Sequence, residues 1–205
     1  MSKKPIIVFE GIECSGKSYH VKKILNYLKR KKIKFLHIRE PGGNSSAEKI
    51  RKLILDKKSK FNKNTDLLLY LSSRSEIIDL IKKNFKKKVI LIDRFIDSTV
   101  AYQHYGMGIK LSLINTINNY LLGSVKVDFT FLNVVNEKNM KKRLKERKKL
   151  NRYDKFNKNF YARVQRGFLK LSKKNNTKYL IIDSNKDIKD NENKVLNKIK
   201  RLIND

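Results

Sequence analysis

Tryptophan is absent from the chain, cysteine occurs once and proline twice. A lone thiol, Cys14, closes no intramolecular disulfide and builds no cysteine-rich metal site, which agrees with a reducing compartment. No apolar run approaches the roughly 20 residues that a bilayer requires. The opening Met1-Ser-Lys-Lys-Pro5 leads straight into a short strand-like run rather than the apolar core of a secretory signal. A cytoplasmic protein without a membrane anchor is expected. Pro/Gly-rich linkers, internal repeats and low-complexity blocks are lacking as well, so the 205 residues are expected to form one domain over 1–205.

Acidic residues are few. Nineteen Asp and Glu face 50 Lys and Arg, a formal net charge of +31. Such an excess attracts polyanions without specificity, as nucleic-acid binders do. The lysines, however, are spread over nearly every helical stretch instead of being gathered in one block. Lysine, asparagine and isoleucine are abundant throughout, as A/T-rich codon usage produces. Compositional drift therefore outweighs a dedicated nucleic-acid role, and no specific nucleic-acid partner is expected.

What is present is an alternation of short apolar runs with amphipathic stretches, the pattern of a parallel sheet wrapped by helices. The strands read as Pro5–Phe9, Phe35–Arg39, Val89–Asp93, Phe129–Val134 and Tyr179–Asp183. Helical faces are marked by Val21, Ile24, Leu25 and Leu28, and by Leu67, Leu71, Ile78 and Ile81. Two later stripes are Phe160, Val164, Phe168 and Leu171, then Val195, Leu196, Ile199 and Leu202. All of these read as core packing. Two stretches break the rhythm: Tyr102–Ile109, loop-like with its glycines, and Glu146–Asp154, a dense charged segment between helical patterns.

Directly after the first strand comes Gly11-Ile12-Glu13-Cys14-Ser15-Gly16-Lys17-Ser18, matching G-x-x-x-x-G-K-[ST], and a helical pattern follows at once. Glycines let the backbone wrap phosphate oxygens so that N–H groups and a helix N-terminus face the negative charge. Lys17 is expected to reach the β- and γ-phosphates of ATP, and Ser18 to bind Mg²⁺. Of eight glycines, Gly11, Gly16, Gly42, Gly43, Gly106 and Gly108 fall in three short loops. Cys14, beside Lys17 and a helix N-terminus, is a candidate for a lowered thiol pKa and reactivity; an inert buried filler is the alternative.

The second strand runs into Arg39-Glu-Pro-Gly-Gly43 and the third into Asp93-Arg94-Phe95, at the sheet edge where open α/β folds bind ligands. Arginine there suits a phosphate clamp, and Asp93 is placed to organise Mg²⁺ and its waters.

In order and approximate spacing, the phosphate loop with Glu13 at its third position, Arg39-Glu-Pro-Gly-Gly43, Tyr70 four before Arg74, Asp93-Arg94-Phe95, Ser98-Thr-Val-Ala-Tyr-Gln103 and the basic stretch ending near Arg152 resemble the thymidylate kinase family over almost the whole chain. The resemblance implies an α/β P-loop nucleoside monophosphate kinase fold with a five-stranded parallel sheet flanked by helices. It also implies a mobile lid over about residues 146–155, Mg·ATP as donor, dTMP as acceptor, and a homodimer. By the same resemblance Tyr70 stacks on thymine and Arg74 bonds a base carbonyl. Tyr102 and Gln103 line sugar and base, Tyr102 restricting a 2′-hydroxyl, while Ser98 and Thr99 add polar contacts. Glu13 meets the 3′-hydroxyl side of the sugar, and Arg39 and Arg94 hold the acceptor phosphate. With Cys14 where some relatives carry arginine, positive charge for the transfer is expected from the lid segment Arg143-Leu-Lys-Glu-Arg147-Lys-Lys-Leu-Asn-Arg152, through Arg147 and Arg152. Three departures stand out: Phe95 for a common tyrosine or histidine, Met107 for a common arginine, and Asn151-Arg-Tyr-Asp154 for the usual Asp-Arg-x-Glu. Another monophosphate or deoxynucleoside kinase is the enzymatic alternative, and a nucleic-acid-binding P-loop protein the remote one.

Overall fold

The computed structural model describes residues 4–204; the expectation placed on the opening Met1–Lys3 lies outside them. Five strands, β1 (Ile6–Glu10), β2 (Phe35–Arg39), β3 (Val89–Asp93), β4 (Phe129–Val134) and β5 (Tyr179–Asp183), form one parallel sheet in the order β2-β3-β1-β4-β5. Four match the expected bounds. The first begins at Ile6 rather than Pro5, whose carbonyl accepts the Ile90 amide while its ring nitrogen has no hydrogen to give. Because the chain leaves β1 first toward β3 and β2 and later returns to β4 on its other side, a crevice opens at the C-terminal end of β1.

Helices cover both faces. On one, α1 (Lys17–Arg30) and α8 (Ile188–Asn204) bury Val21, Ile24, Leu28, Val195 and Ile199 against Ile7, Phe9 and Phe131. On the other, α3 (Lys63–Asn84) buries Ile77, Ile78 and Ile81 against Ile6, Ile90 and Ile92. The first and last stripes legible in the sequence, with Ile78 and Ile81 of the second, are these faces, and burying them supplies much of the stabilisation of the fold. Asparagine, so frequent here, is put to use at helix starts: Asn44 accepts the Ala47 amide at the head of α2 (Ser45–Leu55), and Asn62 accepts those of Asn64 and Thr65 at the head of α3.

The loop expected over Tyr102–Ile109 is not one. After the short α4 (Ile96–Thr99) the chain runs on as a π-helical turn, Val100–Gly106, before α5 (Leu111–Leu122). Gly106 serves packing, not turning: a Cβ there would meet the Phe160 ring at 2.7 Å. Phe160 belongs to α7 (Lys158–Lys174), whose own Gly167 admits Tyr105 in the same way. Gly108, with φ +77, makes the actual turn. Between α6 (Glu137–Lys145) and α7 lies the charged segment, mostly irregular, with one 3₁₀ turn over Arg152–Lys155.

Candidate active site

The phosphate loop is shaped by backbone that only certain residues adopt. Gly11 has φ +138, and a Cβ on it would stand 2.2 Å from the Asn133 carbonyl of β4. Gly16 takes φ +87 immediately before α1. Cys14 also lies in the left-handed region, at φ 56. Alternating backbone of this kind turns N–H groups into one concavity, an anion nest. The loop is braced from behind: the Ser184 hydroxyl donates to the Ser15 carbonyl at 2.6 Å, and Arg143 of α6 donates to the carbonyls of Cys14 (3.0 Å) and Ser184 (2.7 Å).

Lys17 folds back into this loop. Its Nζ donates to the carbonyls of Gly11 at 2.9 Å and Ile12 at 3.0 Å. Burial first, and the neighbouring Arg94 second, lower its pKa to about 8. Such an ammonium gains greatly from a phosphate oxygen. Of the two readings of Cys14, the inert filler is favoured: burial raises the thiol's pKa, and its neighbours Arg147 and Lys17 offset this only in part.

A cavity of about 500 Å³ opens over the loop. Six cations line it, Lys17, Arg39, Arg51, Arg94, Arg143 and Arg147, together with Glu13, Glu40 and Asp93. That excess suits a ligand with several negative charges. Ser18 and Asp93 share the cavity, and Asp93 Oδ1 is buried without a hydrogen-bond partner. Among the described residues no group of three or more His, Cys, Asp or Glu converges. A hydroxyl plus one carboxylate is nonetheless the sparse protein set that Mg²⁺ accepts when phosphates and water complete its shell.

In the cavity's lining Arg94, φ 67, donates to the Gly11 carbonyl at 2.7 Å and to Glu13 at 2.9 Å. Burial alone raises the Glu13 carboxyl, but Arg94 and then Lys17 outweigh it and hold it below the ordinary value. The Tyr102 hydroxyl donates to the second Glu13 oxygen. A smaller hollow of about 30 Å³ is lined by Glu13, Tyr70, Arg94, Ser98, Tyr102 and Gln103, six of the residues picked out from sequence. It shares Glu13, Tyr70 and Arg94 with the larger cavity.

Not every expected residue faces these spaces. Arg74 is buried behind them, donating to Glu40 (2.5 Å), Asn118 (2.6 Å) and Thr99 (2.9 Å) beneath the Phe95 ring. Thr99 is thereby turned to Arg74. Arg39 lines the larger cavity and pairs with Glu48 at 3.0 Å. Of the two arginines expected to act from a lid, Arg147 lines the cavity and pairs with Asp154 at 2.7 Å, whereas Arg152 points to Asp66, with Phe61 and Tyr153 under its guanidinium. The altered lid motif keeps its internal bonding, because Asn151 and Asp154 form a reciprocal capping box.

Arg51, Arg143 and Tyr153 line the cavity and were not singled out as site residues from sequence. Arg51 donates to the Pro41 carbonyl at 2.6 Å, and burial followed by Arg39 lowers its pKa. Its one legible signal was arginine in a chain whose default cation is lysine.

A model of the family described as thymidylate kinase matches residues 9–195. The thymidylate kinase of Thermosipho africanus is 39% identical over 184 residues, covering 89% of this chain and 90% of that one. That of Kosmotoga olearia is 37% identical over 179 residues, covering 86% of each. The crystal structure of thymidylate kinase from Ehrlichia chaffeensis superposes with a TM-score of 0.76 at 31% identity, covering 97% of this chain and 99% of that one.

Proposed function

The chain belongs to the thymidylate kinase family, and from that premise we propose that it transfers the γ-phosphoryl group of Mg·ATP to dTMP, giving dTDP and ADP. The observation that carries the reading is the cavity itself: a glycine-shaped phosphate loop whose Glu13 is tied to Arg94 and Tyr102, with six cations in the lining.

The acceptor's phosphate oxygen attacks the γ-phosphorus in line with the leaving ADP oxygen, and the protein's part is to align the two and neutralise spreading charge. Lys17 and the loop amides hold the donor phosphates. Arg94 and Arg39 hold the acceptor phosphate, and Arg147 descends from the lid toward the group in flight. Tyr70 offers its ring to thymine, and Glu13 and Tyr102 border the sugar, where Tyr102 crowds a 2′-hydroxyl. Ser18 and Asp93 would hold Mg²⁺, which lends further positive charge to the phosphates.

The reaction is placed in the cytoplasm and assigned to a homodimer. No helix among the described residues is long and apolar enough to cross a membrane. Leu68 on α3 and Leu113 and Tyr120 on α5 are exposed, and covering apolar surface of that kind is what a dimer interface does. Steady-state ADP release with dTMP and Mg·ATP tests the activity, and sedimentation tests the dimer. Absence of dTMP-dependent ADP release contradicts the first, and a monomer at micromolar concentration the second.

A further inference from the structure

Asp66 stands in the first turn of α3, one helical turn before Tyr70, and the phosphoryl transfer above makes no use of it. Its side chain is enclosed, the residue being 1% exposed. A carboxylate so far from water must be met by donors. Here they come from two elements that converge on α3. Gln103 of the π-helical turn donates its amide at 3.1 Å, and the Tyr153 hydroxyl donates from the lid at 2.6 Å to the same oxygen. Arg152, also of the lid, pairs with the other oxygen and supplies the balancing charge.

Two of these three donors are walls of the proposed acceptor site. Gln103 lines the small hollow, and Tyr153 lines the larger cavity with its ring edge-on to Tyr70 and Tyr102, centroids 6.0 and 5.8 Å away. An ionised carboxylate only accepts, so Asp66 dictates which end of the Gln103 amide turns toward it. The lid's Arg147–Asp154 pair and Asn151 cap are internal, and Tyr161 holds the Tyr153 carbonyl from α7. The charged tie from lid to α3 runs through Asp66. Its two oxygens thus join the lid, the base-stacking helix and the amide that faces the base.

We propose that Asp66 is a positioning residue that couples docking of the lid to assembly of the acceptor-base pocket. Releasing the carboxylate frees Arg152 and Tyr153 to lift and the Gln103 amide to turn, so lid closure and base recognition fail together. The coupling rests on the dTMP kinase reading, since it takes the small hollow as part of the base site.

Asp66→Asn keeps the size of the side chain while removing the charge that Arg152 needs and the rule that orients Gln103. Calorimetry is expected to show dTMP affinity falling about tenfold, the scale of a hydrogen bond to a charged group, with affinity for a non-hydrolysable ATP analogue within about twofold of wild type. Trypsin cleavage in the lid at Lys148 and Lys149 is expected to be slowed by dTMP in the wild type and not in Asp66→Asn. Equal losses for dTMP and the ATP analogue would mark general loosening and overturn the coupling. So would unchanged dTMP binding with the lid still protected. If Asp66→Asn does not fold, Tyr153→Phe removes a single hydroxyl from the same carboxylate, and a loss confined to dTMP is expected again; no loss overturns the proposal. A wild type that neither binds nor phosphorylates dTMP defeats the functional reading instead, whereas wild-type turnover beside an unaffected Asp66→Asn defeats the coupling alone.

Discussion

Arg94 Nη2 and Glu13 Oε1 lie 2.9 Å apart, joining the residue after β3 to the middle of the phosphate loop. On the proposed reading, the pair ties the donor side of the site to its acceptor side. Arg94 adopts a left-handed φ of 67, a conformation costly for a residue with a Cβ and kept where the surroundings demand it. Replacing Arg94 with Met is expected to lower kcat/KM for dTMP by about a hundredfold or more, because a charge-assisted phosphate contact is lost and Glu13 is left without its main partner. It should also move the Glu13 carboxyl upward, visible as a new acidic limb in the pH dependence of kcat/KM for dTMP. An unchanged profile would separate Glu13 from Arg94.

Lys17 gives a second prediction. In the free protein burial and Arg94 hold its pKa near 8. Donor phosphates favour the ammonium and raise that value, so binding of ATP above about pH 8 must take up a proton, and affinity must fall as pH rises through that value. Calorimetry at pH 8.5 in buffers of different ionisation enthalpy is expected to show the uptake in the wild type and none in Lys17→Met. The same substitution should leave turnover nearly abolished.

The lid arginines are expected to separate. Arg147 lines the cavity and Arg152 is engaged with Asp66. Arg147→Ala should lower kcat by about a hundredfold with modest change in either KM, since an arginine reaching a phosphoryl group in transfer is worth several powers of ten. Arg152→Ala should act mainly on the dTMP Michaelis constant. A kcat unchanged by Arg147→Ala removes the lid from the chemistry.

Glu10 predicts how stability responds to pH. It is fully enclosed at the end of β1, accepting from the amides of Phe95 (2.8 Å) and Ser98 (3.2 Å) and the Ser98 hydroxyl (2.5 Å). Burial, then the nearby Asp97 carboxylate, raises its pKa from 4.5 to about 7. The folded state therefore holds the proton more tightly than the unfolded chain. The stabilisation is complete below about pH 4.5 and is lost as pH climbs through about 7, a change on the order of 3 kcal/mol. Urea melts from pH 5 to 8 should show a steeper decline for the wild type than for Glu10→Gln. Parallel slopes would mean that Glu10 ionises normally.

Much of this was legible beforehand, for reasons that can be named. Strands such as Val89–Asp93 are continuous β-branched and apolar runs because both faces of the sheet are covered, and α1 shows its buried stripe because its other face meets water. The phosphate loop was readable because its glycines answer to local backbone geometry. Gly106 misled for the opposite reason: the ring it admits, Phe160, lies 54 positions further along, and sequence cannot tell a packing glycine from a turning one. Cys14 stayed undecided between a reactive thiol and a filler because proximity to Lys17 is visible in sequence and burial is not. Asp66 gave no signal, since an acid in a helix's first turn already has an ordinary explanation in the helix dipole. Arg51 and Arg143 sit on basic helices where their neighbours carry the same charge, and only the folded cavity distinguishes them.

The most direct test of the account is a competition among acceptors. The protein, Mg·ATP and equal concentrations of dTMP, dUMP, AMP, GMP and thymidine are incubated together, and the products are separated by anion-exchange chromatography. The account predicts dTDP as the main product, with little ADP or GDP made from the purine monophosphates and no dTMP made from thymidine; labelling dTMP, AMP and thymidine separately distinguishes these products. Preferential phosphorylation of AMP, GMP or thymidine would contradict it.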